Sequence, residues 1–238
     1  MTWSILARDA GTGELGAAVA TRFFAAGALC LRAEGRVGAA ATQALVNPML
    51  APAALDHLRA GAGPEAAVRA VLAADPGRRA RQLHVLGADG ASFRHTGEDC
   101  VEWAGHAGGP DVSVAGNMLA GAAVVEATRD AFLAGAGTPL AERLVAALEA
   151  GEAMGGDKRG KQSAALVVVG EDPYPDLDLR VDDHPDPLAE LRRLHRVAKT
   201  RFVHFRRFLA GRDHPGVFDR ATIEAAIARA AAEGGAGA

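Results

Sequence analysis

Apolar and polar positions alternate along the chain from its first residues. Residues 2–8 alternate and end at Asp9-Ala10-Gly11-Thr12-Gly13, and residues 14–21 run Glu-Leu-Gly-Ala-Ala-Val-Ala-Thr. A period of two on either side of a Gly-rich turn predicts a β-hairpin at the start of the chain. Residues 37–45 are small and apolar on both faces, the pattern of a buried strand. The period changes at Pro48. Residues 50–60 and 64–74 are rich in Ala and Leu, each is opened by a proline, and they close at Gly61 and at Asp75-Pro76-Gly77, so both read as helices. Residues 83–86 and 92–95 flank Asp89-Gly90, a strong hairpin signal. Further strands are expected at 112–115, 163–169 and 177–181, and further helices at 121–134 and 139–150. Strands, two helices, strands, two helices, strands: this order predicts an α+β domain in which two antiparallel sheets are covered by helix pairs.

Two more helices are expected, at 187–209 and 220–231, with Asp186 and Asp219 as N-caps. The first carries Leu188, Leu191, Leu194, Ala198, Phe202, Phe205, Phe208 and Leu209 at helical spacing, the mark of a buried face. Arg192, Arg193, Arg196, Lys199, Arg201, Arg206 and Arg207 occupy the rest. A basic helix can bind nucleic acid, but the apolar stripe turns the reading towards packing. The chain then divides into a main domain, 1–186, and a helical extension, 187–238, lying on that domain or on a second subunit. A homo-oligomer is expected, a dimer first, with no nucleic-acid partner. The tail 234–238 is expected to fray.

Composition changes this picture little. The 238 residues are 49% apolar, enough for a sizeable core, and the formal net charge of −3 gives no global argument for a polyanion. Cys30 and Cys100 are too few for a disulfide framework and read as reduced thiols. The first residues lack the basic and apolar regions of a signal peptide, and no apolar run reaches the length of about 18 residues needed to span a membrane. A cytoplasmic protein without a membrane partner is expected. Between 171 and 186 lie Asp172, Asp176, Asp178, Asp182, Asp183, His184 and Asp186, broken by Pro173, Pro175 and Pro185 and followed by Pro187. Oxygen ligands at this density suit Ca²⁺ or Mg²⁺, yet the spacing fits no EF-hand loop, and solvated turns are expected, with no metal and no cofactor.

Several segments together resemble one family. They include Thr2-Trp3-Ser4-Ile5-Leu6-Ala7-Arg8-Asp9, Ala20-Thr21-Arg22-Phe23-Phe24, Ala41-Thr42-Gln43-Ala44-Leu45-Val46-Asn47-Pro48 and Trp103-Ala104-Gly105-His106. Gly116-Asn117-Met118-Leu119-Ala120-Gly121, Gly155-Gly156-Asp157-Lys158-Arg159-Gly160 and Val181-Asp182-Asp183-His184-Pro185 complete the set. Over about 2–197 the chain resembles the bacterial and archaeal family known as domain of unknown function 1028, of the N-terminal-nucleophile (Ntn) hydrolase superfamily. The resemblance implies a four-layer αββα sandwich. It also implies a nucleophile at the start of the first strand, which is Thr2 once Met1 is removed.

An N-terminal Thr carries its own base: the hydroxyl attacks a carbonyl and the α-amine takes the proton. The α-amine has a pKa near about 7.7–8.0, so part of it is neutral at pH 7. Ser4 faces the same way two residues on and is the reserve nucleophile. Acyl transfer also needs donors for the developing oxyanion, for which Asn117 beside Gly116 is the first candidate and Gln43 the second. Arg22 and the run Asp157, Lys158 and Arg159 are candidates for holding the amine or a substrate carboxylate, and His106 for lining a pocket. Proteasome-type relatives carry an Asp before the Thr-Arg pair of the second strand and a Lys base nearby. Here that position is Ala20, and no Lys precedes Lys158. The expectation is an amidohydrolase acting on a small amide or peptide-like bond. The alternative is a non-catalytic small-molecule-binding or interaction protein on the same scaffold.

Overall fold

The structure is a computed structural model that describes residues 2–235. Met1, and with it the expected removal of that residue, lies outside the described residues, as do residues 236–238 of the expected frayed tail. The chain opens with the strands β1 (Thr2–Arg8) and β2 (Leu15–Thr21), then the short helix α1 (Ala26–Cys30) and the strands β3 (Leu31–Glu34) and β4 (Gly38–Ala44). Helices α2 (Leu50–Arg59) and α3 (Pro64–Ala73) follow, then β5 (Arg81–Gly87), β6 (Ser92–Thr96), β7 (Ala104–Gly109) and β8 (Val112–Asn117). Next come α4 (Ala122–Ala134), α5 (Leu140–Ala153), β9 (Ser163–Val169) and β10 (Leu177–Val181). The chain continues with α6 (Pro187–Thr200), α7 (Phe202–Phe205) and α8 (Arg220–Gly235).

The ten strands form two antiparallel sheets, one of six in the order β10-β9-β2-β1-β8-β7 and one of four in the order β3-β4-β5-β6. The expected hairpin is β1–β2, with Trp3 opposite Ala20 and Arg8 opposite Leu15. On its other side β1 pairs with β8, Thr2 opposite Asn117. The two sheets face each other, with α4, α5 and α6 on the outer side of the larger and α2 and α3 on the outer side of the smaller.

Period-two alternation builds these faces. Trp3, Ile5 and Ala7 of β1 join the core under α4 and α5, with Leu144, Leu148 and Phe132. Ala40, Leu83 and Val85 join the core under α2 and α3. Between the sheets the apolar residues are Leu6, Ala17, Val19, Ala39, Ala41 and Leu86. Small side chains on facing strands let the sheets approach closely. Towards the start of β1 the facing positions turn polar: Thr2, Ser4, Gln43, Gln82, His84, Ser113 and Asn117 are all buried.

One expectation needs correction. The helix expected over 187–209 stops at Thr200, and Arg201 (φ −145°, ψ −50°) leaves helical geometry. Past that break, the short helix α7 and a 3-10 turn at Arg206–Phe208 carry the chain on. Past the break Val203 packs against the core beneath α4 and α5, and Phe202 is exposed rather than on a buried face. Leu188, Leu191 and Ala198 before the break are buried as their spacing predicts. Asp186 caps α6 by accepting from the Ala189 N–H at 3.4 Å. Of the acids of 171–186, Asp176 and Asp182 pair with Arg206 and Arg180, and Asp183 accepts from Gln162. Among the described residues no group of three side chains is placed to hold a metal ion.

Candidate functional site

Thr2 starts β1 in the interior of the larger sheet, between the ends of β2 and β8. Its side chain is nearly buried, and its hydroxyl lies 3.0 Å from the Thr21 hydroxyl. It opens onto a cavity of about 170 Å³ walled by Phe23, Ala26, Leu29, Cys30, Gln43, Ala44, Val46 and Arg159. A larger cleft of about 610 Å³ lies between β3 and β9–β10, and α1 contributes to the walls of both. None of the expected site residues lines the larger cleft, so size alone does not mark the site. Among the described residues, three of the six non-glycine residues in the left-handed region adjoin the site. Ala25 (φ 51°) precedes α1, Ala44 (φ 70°) is a wall and Met118 (φ 55°) follows Asn117. Such conformations cost on the order of 1–3 kcal/mol each and collect at functional sites.

Behind Thr2, the buried polar residues form one hydrogen-bond chain whose direction donor counting settles. The Gln43 Nε2 faces three acceptors: the Gln82 Oε1 at 2.8 Å, the Ala115 carbonyl at 3.0 Å and the Thr2 carbonyl at 3.4 Å. Its Oε1 must therefore accept, and the Ser4 hydroxyl donates to it at 2.7 Å. Ser4 has no second hydrogen, so the His84 Nε2–H donates to the Ser4 Oγ at 2.8 Å. The His84 Nδ1 is then bare and accepts from Ser113 at 2.9 Å, and the Ser113 Oγ accepts from the Arg94 Nε, also at 2.9 Å. Every donor points one way, from Arg94 to the Thr2 carbonyl. Burial pushes the His84 pKa down to about 3, with the Arg94 charge acting in the same direction, so this ring is neutral.

This geometry brings some of the expected residues together and separates others. Asn117 donates to the Gln82 Oε1 at 3.1 Å and to the Thr2 carbonyl at 3.4 Å. The amides of Asn117 and Gln43 thus grip the main chain of residue 2. Gly116 accepts from Gln82 through its carbonyl at 2.9 Å, and a Cβ there would lie 2.3 Å from the Leu119 Cδ1. Asp157 receives the Arg22 N–H and the Arg159 N–H, each at 2.8 Å, and pairs with the Arg159 guanidinium at 3.2 Å. The Arg22 guanidinium donates to the Arg159 carbonyl. Arg22 and Asp157 therefore hold the segment that delivers Arg159 to the cavity. Lys158 points away to Glu102 at 3.1 Å, and His106 sits on β7 against Thr96 at 3.2 Å; neither lines the cavity. Ser4, the reserve nucleophile, is fully buried and committed to Gln43 and His84.

Sequence reasoning did not single out Thr21, Gln82, His84, Ser113 or Arg94 for a role. A signal for two of them was present. In β5, Leu83 and Val85 suit a face packed on helices, so Gln82 and His84 alternate onto the opposite face, which a second sheet covers.

No curated protein matches this chain. A crystal structure of a protein from Silicibacter pomeroyi, assigned to the same family as is named below, is similar at a TM-score of 0.84 and 33% identity, covering 92% of this chain and 99% of that one. The family model described as "Family of unknown function (DUF1028)" matches residues 2–191. The chain belongs to the DUF1028 family.

Proposed function

We propose that this protein is an amidohydrolase of the N-terminal-nucleophile type, acting on a small amide or peptide-like bond through Thr2 after loss of Met1. The observation that carries the reading is the Thr2 side chain at the start of an interior strand, facing a cavity with room for a carbonyl. In this reading the two facing sheets and their outer helices are the four-layer αββα sandwich of that superfamily. The Thr2 Oγ bonds to the substrate carbonyl carbon while its proton passes to the α-amine of the same residue. Collapse of the tetrahedral adduct breaks the C–N bond, and the departing amine takes that proton. Water then cleaves the Thr2 ester by the same route, releasing the acid.

Gln43 and Asn117 position residue 2 through its carbonyl, and Gly116 permits the close packing beneath it. Arg22 and Asp157 hold Arg159 at the cavity wall. The binding-protein alternative draws on Ala20 and on the absence of a lysine among the cavity walls. Intact mass separates the two. The active protein is expected to weigh one methionine less than the full chain and to gain one adduct on incubation with a β-lactone. A retained Met1 with no adduct would leave the binding protein as the reading.

A further inference from the structure

The cavity at Thr2 carries more information than its position. Six of its walls, Phe23, Ala26, Leu29, Cys30, Ala44 and Val46, are apolar. Cys30 belongs with them: it is buried, and burial pushes its thiol up to about 12, so it is neutral. The polar walls are already engaged. The Gln43 amide hydrogens go to Gln82, Ala115 and Thr2, and the Arg159 charge is opposed by the buried Asp157 carboxylate. A charged group entering here would lose its hydration, and the one guanidinium among the walls already faces Asp157.

The back wall is also rigid. α1 is pressed so closely onto β9 that a Cβ at Gly27 would lie 2.3 Å from that of Ala165. Its start is pinned by the Ala25 N–H donating to the Asp182 carbonyl at 3.0 Å and the Ala26 N–H donating to the Ser163 hydroxyl at 3.3 Å. At about 30 Å³ per water-sized group, a cavity of about 170 Å³ holds about five or six non-hydrogen atoms. The leaving group must depart, so it is the retained part of a substrate that occupies the recess beside Thr2. Phe23, Phe24, Leu45 and Met49 are exposed on the segments that bound the cavity.

We infer that this cavity is an acyl pocket for a short, uncharged aliphatic group of about four or five carbons, with Leu29 of α1 and Val46 setting its length. The inference rests on the reading of Thr2 as nucleophile for its chemistry, but the pocket's preference is testable without it. The probes are 4-nitroanilides and 4-nitrophenyl esters of acetyl, butyryl, valeryl, octanoyl and succinyl groups, with Thr2 acylation followed by mass. In parallel, butyramide, octanamide and succinamate are titrated against the methyl resonances of Leu29 and Val46, in the wild type and in Thr2→Ala.

Acylation is expected to peak at butyryl or valeryl and to fall at least about tenfold for octanoyl and for the equally short but charged succinyl. Butyramide alone should shift both methyls, in Thr2→Ala as well. Leu29→Ala, or Val46→Ala if the first does not fold, should move the optimum to a longer chain. Acylation of Thr2 that ignores chain length or favours succinyl would overturn the pocket inference and leave the nucleophile standing. Butyramide binding without acylation by any probe would support the pocket and remove the nucleophile. Failure of butyramide to shift either methyl would overturn the pocket directly.

Discussion

Thr2→Ala is expected to fold normally and to lose both β-lactone labelling and any hydrolytic turnover. The structural change is small. The side chain's neighbour is the Thr21 hydroxyl at 3.0 Å, and one such hydrogen bond contributes about 0.5–1.5 kcal/mol. The strand itself is held through its backbone pairing with β2 and β8 and through the grip of Gln43 and Asn117 on the residue-2 carbonyl, none of which needs the hydroxyl. The chemical change is large, because the attacking atom is gone. Loss of a nucleophile costs on the order of 10³–10⁶-fold in turnover. Thr2→Ser keeps the oxygen and should keep the label. Because the neutral amine is the base, labelling should rise with pH through about 7–8. Turnover by Thr2→Ala within about tenfold of wild type would end the case for this residue.

The second large effect concerns acid. His84 is enclosed between the sheets, and its pKa is lowered to about 3 chiefly by burial. In the unfolded chain it titrates near its ordinary 6.5. The stability it allows is therefore complete above about pH 6.5 and lost as pH falls towards 3, because the unfolded state takes up a proton that the folded state refuses. At pH 5 the loss relative to pH 7 should be roughly 2 kcal/mol from this residue alone. Carboxylates paired in the fold, Asp75 with Arg81 among them, add their own acid lability, so the test is a difference. His84→Gln should be less stable than the wild type at pH 7 but show a shallower loss between pH 7 and 5 in denaturant melts. An imidazole nitrogen spectrum should show His84 as the neutral Nε2–H form at pH 5. A cationic ring at pH 5, or equal slopes in the two proteins, would refute the assignment.

How far the sequence reaches is best seen strand by strand. The hairpin β1–β2 is legible because its alternation is clean and its turn carries Gly11 and Gly13. The helix pairs are legible because proline and glycine punctuate them. β3 and α1 are not: Ala26–Glu34 reads Ala-Gly-Ala-Leu-Cys-Leu-Arg-Ala-Glu, which fits neither period for long enough to decide. β7, Ala-Gly-His-Ala-Gly-Gly, has no apolar alternation and is a strand because β8 pairs with it. The break at Arg201 interrupts an apolar spacing that continues through Phe202, Phe205 and Phe208, so no local pattern marks it. At the site, Thr2, Asn117, Gln43 and Asp157 stand out as polar residues in apolar or Gly-rich settings. Their partners are invisible from spacing, because the chain Arg94–Ser113–His84–Ser4–Gln43 draws on five strands across two sheets.

The division of the strands between the sheets also has a consequence for synthesis. All four strands of the smaller sheet, and the two helices that cover it, come from one uninterrupted stretch, 31–96. The larger sheet is split: β1 and β2 precede that stretch, yet β8, the partner of β1, follows about 110 residues later and β9, the partner of β2, about 150 residues later. Contacts close in sequence form sooner than distant ones. On an emerging chain the smaller sheet and its helices should therefore assemble while β1 and β2 wait as a lone hairpin, too small to be stable by itself. Pulsed hydrogen exchange during refolding would place amide protection in β5 ahead of that in β1, and the reverse order would exclude this sequence of events. The residue proposed to do the chemistry is then translated well ahead of β8, its partner strand, and seated only after that strand arrives.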